Sequence, residues 1–120
     1  MNKPTRELAD RTEEFALRII RLVRALPKDS VSDILGRQIL RSGTSVGANY
    51  REAARARSRA EFIAKVGDSL KEVEETAYWL NLLLRSELVT GPKLSGLRGE
   101  CDQLTAIFVS SIKTARQGAA

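Results

Sequence analysis

The chain has 120 residues, of which 42% are hydrophobic and 29% are charged, a composition typical of a single globular domain. It contains no histidine, so the commonest general base and metal ligand is missing and a catalytic site that pairs histidine with serine or cysteine is excluded. The single cysteine, Cys101, excludes an internal disulfide framework, and no apolar run approaches the ~20 residues that a membrane span requires. Because Met1 to Asp10 is polar, no secretion signal is expected, and we expect a cytoplasmic protein that needs no cofactor and no membrane.

The first half of the chain predicts two helices. Apolar residues recur at helical spacing over about 7–26, and Pro27 ends this first helix. The second helix starts after a cap at Asp29 or Ser30 and covers about 31–55. Its apolar phase runs through two interior glycines, which favours one continuous helix over the alternative of a break at Ser42–Gly43.

The second half predicts two more helices. Ser58 and Glu61 have the spacing of a capping box, which opens a helix over about 59–86. Near its C-terminus the apolar residues occupy a wider sector of the helix circumference than a single core contact needs, so this part faces either a deep core or another subunit. After Gly91–Pro92, Lys93 or Ser95 begins a fourth helix over about 94–116, in which Cys101 is a small buried hydrophobe.

No strand signal or internal repeat interrupts this pattern. Four helices joined by short turns predict an all-α, up-down-up-down antiparallel four-helix bundle. We expect residues 1–120 to form one such domain.

The second helix contains an unusual stretch of small residues around Gly43 and Gly47. Two interior glycines cost a helix about 1 kcal/mol each relative to alanine, which implies a close neighbour. Close helix packing is the favoured reading, and in an antiparallel hairpin the register also places Gly47 beside Gly67 of the third helix. The same register places Arg41 opposite Glu74. The alternative is a ligand contact, whose candidate side chains are Ser42, Thr44, Ser45 and Asn49.

The excess positive charge is confined to one segment. Between Arg37 and Lys65 there are seven basic and two acidic residues, whereas the remainder of the chain has 13 of each. Arg51 and Arg55 are like charges four residues apart, which is unfavourable unless an anion relieves it, and arginine binds phosphate through a planar fork of donors. The candidates for a polyanion or RNA contact are Arg51, Arg55, Arg57 and Arg59. The alternative is that they pair with Glu52, Glu61 or a neighbouring subunit.

Three other groups have an ordinary structural interpretation. The basic residues of the first helix, Arg11, Arg18 and Arg21, form a solvated face. Tyr50, Tyr78 and Trp79 have the chemistry to stack on bases, but their spacing favours a core or an interface. The third group is an acidic run, which cannot form a di-metal site of the bundle type without histidine and which we expect to pair with Arg37 and Arg41 between helices or between subunits; its members are Asp68, Glu72, Glu74 and Glu75.

Three blocks of sequence carry a resemblance to a known family. They are Leu-Arg-Ser-Gly-Thr-Ser-Val-Gly-Ala-Asn-Tyr-Arg-Glu-Ala over 40–53, Ala-Glu-Phe-Ile-Ala-Lys over 60–65 and Glu-Glu-Thr-Ala-Tyr-Trp-Leu over 74–80. With them the chain resembles the bacterial four helix bundle proteins first described from intervening sequences of 23S ribosomal RNA genes. The resemblance implies a four-helix bundle that assembles as a homopentamer. It also implies a distant similarity to the accessory protein of diversity-generating retroelements, a basic pentamer that works with a reverse transcriptase and RNA.

Taken together, these features predict a non-enzymatic homo-oligomer, with a pentamer implied by the resemblance alone. Its leading function is to bind structured RNA or another polyanion through the four arginines, and the alternative is a scaffold that binds only protein partners. The candidates for the subunit interface are Trp79, Leu82, Leu83, Arg41 and Glu74.

Overall fold

The computed structural model describes residues 6–118, which form four α-helices and no strand. These helices are α1 (Arg6–Arg24), α2 (Ser30–Ala53), α3 (Arg59–Arg85) and α4 (Gly91–Gln117). They pack as an up-down-up-down antiparallel bundle with principal extents of 52 × 20 × 20 Å. Neighbours in sequence are neighbours in space, and the contact between α1 and α4 is the smallest of the four. The predicted fold class is confirmed.

The helix ends follow local chemistry. Asp29 caps α2 by accepting a hydrogen bond from the amide of Ser32 at 2.8 Å. Ser58 caps α3 by accepting from the amide of Glu61 at 3.0 Å. The Glu61 carboxylate reaches back to the amide of Arg57, one residue before the cap, at 3.2 Å. The capping box therefore forms, with its return bond displaced by one residue.

Three predicted boundaries differ from the structure by two or three residues, and one of them is the end of α2, which falls at Ala53 rather than near Arg55. Helix α1 ends at Arg24 rather than near Leu26, because a residue that precedes proline avoids the helical conformation. Helix α4 begins at Gly91, three residues before the predicted Leu94. Its Pro92 lies in the first turn, where the amide that proline lacks has no helical partner in any case.

The core is a continuous column of apolar side chains contributed by all four helices. Within this column Tyr50 of α2 contacts Phe108 of α4, with the ring centroids 6.0 Å apart. Cys101 is buried in this column, and burial raises the pKa of its thiol to about 12. The thiol is therefore neutral at physiological pH, as expected for a structural cysteine.

Helix α2 is unbroken, and its glycines all face α1. A Cβ atom at Gly36 would lie 3.3 Å from Val23 and Leu26, one at Gly43 would lie 2.8 Å from Ile19, and one at Gly47 would lie 3.0 Å from Thr12. These glycines allow the α1 and α2 backbones to approach closely. The small residues of this stretch are therefore explained by helix packing.

The expected apposition of Gly47 with Gly67 is wrong. A Cβ atom at Gly67 would meet no atom within 4 Å, so Gly67 takes no part in close packing. The face of α2 toward α3 instead carries a hydroxyl seam. Ser69 donates to the carbonyl oxygen of Val46 at 2.9 Å, and Thr76 donates to the hydroxyl of Ser42 at 2.8 Å.

Helix α3 ends in a Schellman motif, with the amide of Leu88 bonded to the carbonyl of Leu83 and that of Glu87 to Leu84. Glu87 occupies the left-handed position with φ of 64°, a conformation that costs an L-residue about 1–2 kcal/mol. We expect Glu87→Gly to raise the free energy of unfolding by about 0.5–1 kcal/mol, measured by urea denaturation. Ser86→Gly is the matched control, because Ser86 has φ of −84° and gains nothing from glycine. A Glu87→Gly variant no more stable than the parent would contradict this account.

Candidate nucleic-acid interface

The four candidate arginines lie where α2 ends and α3 begins. Arg51 is on the last turn of α2, Arg55 and Arg57 lie in the turn between α2 and α3, and Arg59 is the first residue of α3. Among the described residues, the only ion pair of this group joins Arg51 Nη2 to Glu13 Oε1 at 2.9 Å. Both side chains of that pair are more than half exposed, and such pairs stabilise a fold by only about 0–1 kcal/mol. Arg51, Arg55 and Arg57 are exposed and Arg59 is half-buried, so at least the first three side chains are accessible to a ligand.

The antiparallel topology brings other cations to the same end of the bundle. Gly47 lies beside Thr12, and Val46 is bonded to Ser69, so these residues of α1, α2 and α3 lie at the same level along the bundle axis. The shared groove of Leu70 and Val109 sets the level of α4. At this end lie the first two turns of α1, the α2–α3 hairpin and the last two turns of α4. We call residues 6–13, 48–67 and 110–118 the basic end.

The basic end holds the whole net charge of the described residues. It carries nine basic and five acidic side chains, whereas the rest of residues 6–118 carries ten of each. Three of the nine, Arg6, Lys113 and Arg116, were missed as site residues from the sequence because they lie far along the chain from the arginine segment. The full set of cations is Arg6, Arg11, Arg51, Arg55, Arg57, Arg59, Lys65, Lys113 and Arg116.

Two open grooves lie at the basic end on opposite sides of the bundle. The first, of about 510 Å³, lies between α1 and α2, where Arg6, Arg51 and Arg55 surround an apolar floor that includes Ala9 and Ala54. The second, of about 560 Å³, is the α3–α4 groove, lined by Leu70, Val109, Ile112, Lys113, Arg116 and Gln117. Each groove combines an apolar surface with cations at its edge.

One basic residue of this end is structural. Arg11 spans the α1–α4 contact with two hydrogen bonds of 2.8 Å to the Glu100 carboxylate. These bonds raise the pKa of the Arg11 guanidinium above its usual value. Arg11 therefore joins α1 to α4 and is not counted among the ligand-binding candidates.

The candidate interface residues have different environments. Arg41 pairs with Glu72, at 3.5 Å, and with Glu75. The expected partner Glu74 is exposed and makes no ion pair with a described residue, because it lies on the side of α3 that faces away from α2. The expected register, with Glu74 opposite Arg41, therefore does not hold within the chain, and the assignment of Glu74 to a subunit interface stays a prediction.

The apolar interface candidates are also divided. Leu83 is 0% exposed and belongs to the core of its own chain, so it is unavailable for a subunit contact. Trp79 and Leu82 are half-buried, and the Trp79 indole nitrogen donates to Glu75 at 3.3 Å. Tyr78 is exposed and contacts Trp79 edge to face, whereas Tyr50, at 2% exposure, cannot stack on a base.

The described residues include no candidate metal site. Across residues 6–118, no group of three or more cysteine, aspartate or glutamate side chains is placed to hold a metal ion. None of the helices in this range is long and apolar enough to cross a membrane. The chemistry that the surface does present is cationic hydrogen bonding beside apolar grooves.

Comparisons with known proteins agree with this architecture. Residues 6–110 match the family model described as 23S rRNA-intervening sequence protein. A similar solved structure is a crystal structure of a protein with unknown function from the S23 ribosomal protein family of Bacteroides thetaiotaomicron VPI-5482. It is 43% identical, covers 88% of this chain and 98% of its own, and superposes with a TM-score of 0.84. No curated protein is significantly similar to the chain.

Proposed function

The chain belongs to the 23S rRNA-intervening sequence protein family, and we propose that it is a non-enzymatic module that binds structured RNA or another polyanion through Arg51, Arg55, Arg57 and Arg59. The observation that carries the proposal is the charge distribution, because the basic end holds nine basic and five acidic side chains, or nine and six when Glu100, which bonds Arg11, is counted with them. A concentrated positive potential attracts the phosphate backbone of nucleic acids and speeds their association.

The local geometry suits phosphate better than it suits pairing within the chain. Among described residues, Arg55, Arg57 and Arg59 make no ion pair within 4.0 Å. The nearby Glu61 carboxylate already accepts from the backbone amide of Arg57, and Glu52 lies 3.5 Å from Lys65. These carboxylates leave the three guanidinium groups with open donors, and arginine offers such donors to phosphate in pairs.

We also propose that the module is a homo-oligomer, with five subunits as the family resemblance implies. An exposed apolar face supports this proposal. Val31 and Ile34 of α2 are 56% and 63% exposed, and helical phase places Ile34 on the same face as Arg41. Arg41 contacts Glu75, which accepts from Trp79, so these residues form one surface with Trp79 and Leu82 at its edge. A ring of subunits would repeat the basic end and multiply its potential.

The proposal is tested by comparing the two ends of the bundle. We expect Arg57→Ser with Arg59→Ser to weaken binding to a structured RNA by about tenfold at 50 mM salt, measured by fluorescence anisotropy. Contacts between arginine and phosphate contribute most to affinity at low salt, so their loss has its largest effect there. The matched control is Arg85→Ser with Lys93→Ser, which removes the same charge at the opposite end. Equal weakening by the two variants would mean that only net charge matters, and it would contradict a localised site.

A protein-binding scaffold is the second candidate, and the exposed face of Val31 and Ile34 favours it. If the chain assembles but binds no RNA at low salt, this face and the basic end serve protein contacts only. Sedimentation of the same samples gives the subunit number and separates this outcome from a failure to assemble.

A further inference from the structure

We infer that the polyanion is a nucleic acid with unpaired nucleotides, and that the α3–α4 groove holds the apolar part of such a nucleotide while Lys113 and Arg116 contact its phosphates. This inference rests on the proposed polyanion function and specifies the ligand class of the same end of the bundle. It adds a second contact region that the arginine segment of the sequence does not contain.

The position of the groove is the first argument. Lys113 and Arg116 lie on the last turns of α4, at the axial level of the α3 N-terminal half, and they belong to the basic end. Both side chains are exposed and neither makes an ion pair with a described residue. A ligand that spans the 20 Å width of the bundle can therefore contact Arg55 and Arg59 at one point and Arg116 at another.

The lining of the groove is the second argument. Leu70 and Ile112 are half-buried, and Val109 is 49% exposed, so the floor is an open apolar surface. Gly67 lies one turn before Leu70 on α3, and a Cβ atom there would meet nothing within 4 Å. Gly67 thus adds no side chain to the surface between the groove and the start of α3. The volume of the groove, about 560 Å³, is in the range of small-molecule binding clefts, roughly 300–1,000 Å³.

The combination of surfaces selects the ligand class. A double-helical RNA presents phosphates and riboses but keeps its bases stacked inside, whereas loops and single strands present base faces that apolar surfaces can cover. An inorganic polyphosphate has no apolar part. Cations that border an apolar floor therefore match a ligand in which phosphate and an exposed base are adjacent.

The test uses the full-length protein, two ligands and two variants. The ligands are a single-stranded RNA oligonucleotide and inorganic polyphosphate, and the readout is binding as a function of salt. We expect Lys113→Ser with Arg116→Ser to reduce the salt slope for single-stranded RNA by about 1.4, because each lost phosphate contact is worth about 0.7. We expect Val109→Ser to weaken RNA binding about fivefold through lost apolar contact and to leave polyphosphate binding unchanged.

The controls separate the possible outcomes. Leu17→Ser removes an exposed leucine from α1, far from the groove, and should change neither ligand. The groove inference alone fails under one pattern of results. In that pattern the parent binds both ligands, Arg57→Ser with Arg59→Ser weakens the binding of both, and Val109→Ser binds RNA like the parent. The proposed function then stands. If the parent binds neither ligand, the proposed function fails first. A Val109→Ser variant with a smaller oligomer mass would show that the groove is a subunit contact, and that result would also overturn the inference.

Discussion

Replacing Gly47 with leucine is expected to lower the free energy of unfolding by about 3 kcal/mol, through overpacking between α1 and α2. A Cβ atom at this position would lie 3.0 Å from Thr12 Oγ1 and 3.2 Å from Thr12 Cβ. Thr12 cannot turn aside freely, because it is buried and its hydroxyl donates to the carbonyl of Ala9 at 2.8 Å. The helices must separate to admit leucine. Urea denaturation measures the loss, and the melting temperature should fall by roughly 10 °C.

Gly99→Leu is the matched control for this substitution. Gly99 is also in a helix interior, but a Cβ atom there would meet nothing within 4 Å. Leucine should therefore add only helix propensity and stabilise the chain by about 0.5–1 kcal/mol. If Gly47→Leu melts within a degree or two of the parent, close packing does not explain the α2 glycines, and the ligand interpretation of that stretch returns.

The second large effect is expected from Arg51→Ser with Arg55→Ser. Both arginines line the α1–α2 groove at the basic end, and serine removes two charges without adding apolar surface. Affinity for structured RNA should fall by more than tenfold at 50 mM salt, and the log–log salt slope should lose about 1.4 to 1.8. The loss of the exposed Arg51–Glu13 pair should cost about 1 kcal/mol of stability at most.

The oligomer mass of this variant decides between the two uses of the arginines. A ligand-binding role predicts an unchanged mass by sedimentation together with weakened RNA binding. If the mass falls and RNA binding by the parent was absent, the arginines are partners in a subunit contact. A variant with both mass and affinity unchanged would contradict each interpretation.

Much of the fold follows from the sequence because helical phase and capping chemistry are local. The apolar period passes unbroken through Gly43 and Gly47, and α2 is continuous there. The partner of the glycines was not predictable in the same way. An antiparallel register gives the axial level of Gly47 but not the side of the helix on which it lies, and that side faces Thr12 of α1 rather than Gly67 of α3.

The candidate site shows the same division between local and tertiary information. The arginines near residue 55 are adjacent in sequence, so a linear count of charge finds them. Lys113 and Arg116 join them only because α4 runs antiparallel to α3 and ends beside the α3 N-terminal half. Leu83 had the same apolar signature as Trp79 and Leu82, yet it alone of the three is fully buried. A wide apolar sector does not distinguish core from interface until the neighbouring helices are in place.

The most direct test of the central claim is the salt dependence of binding between the parent protein and a structured RNA, from about 50 to 200 mM salt. A ligand site at the basic end predicts tight binding at low salt and a log–log slope of several units, since each phosphate contact contributes about 0.7–0.9. Absence of binding at 50 mM salt, or an affinity that does not change with salt, would contradict the claim that the charge of this end is available to a polyanion.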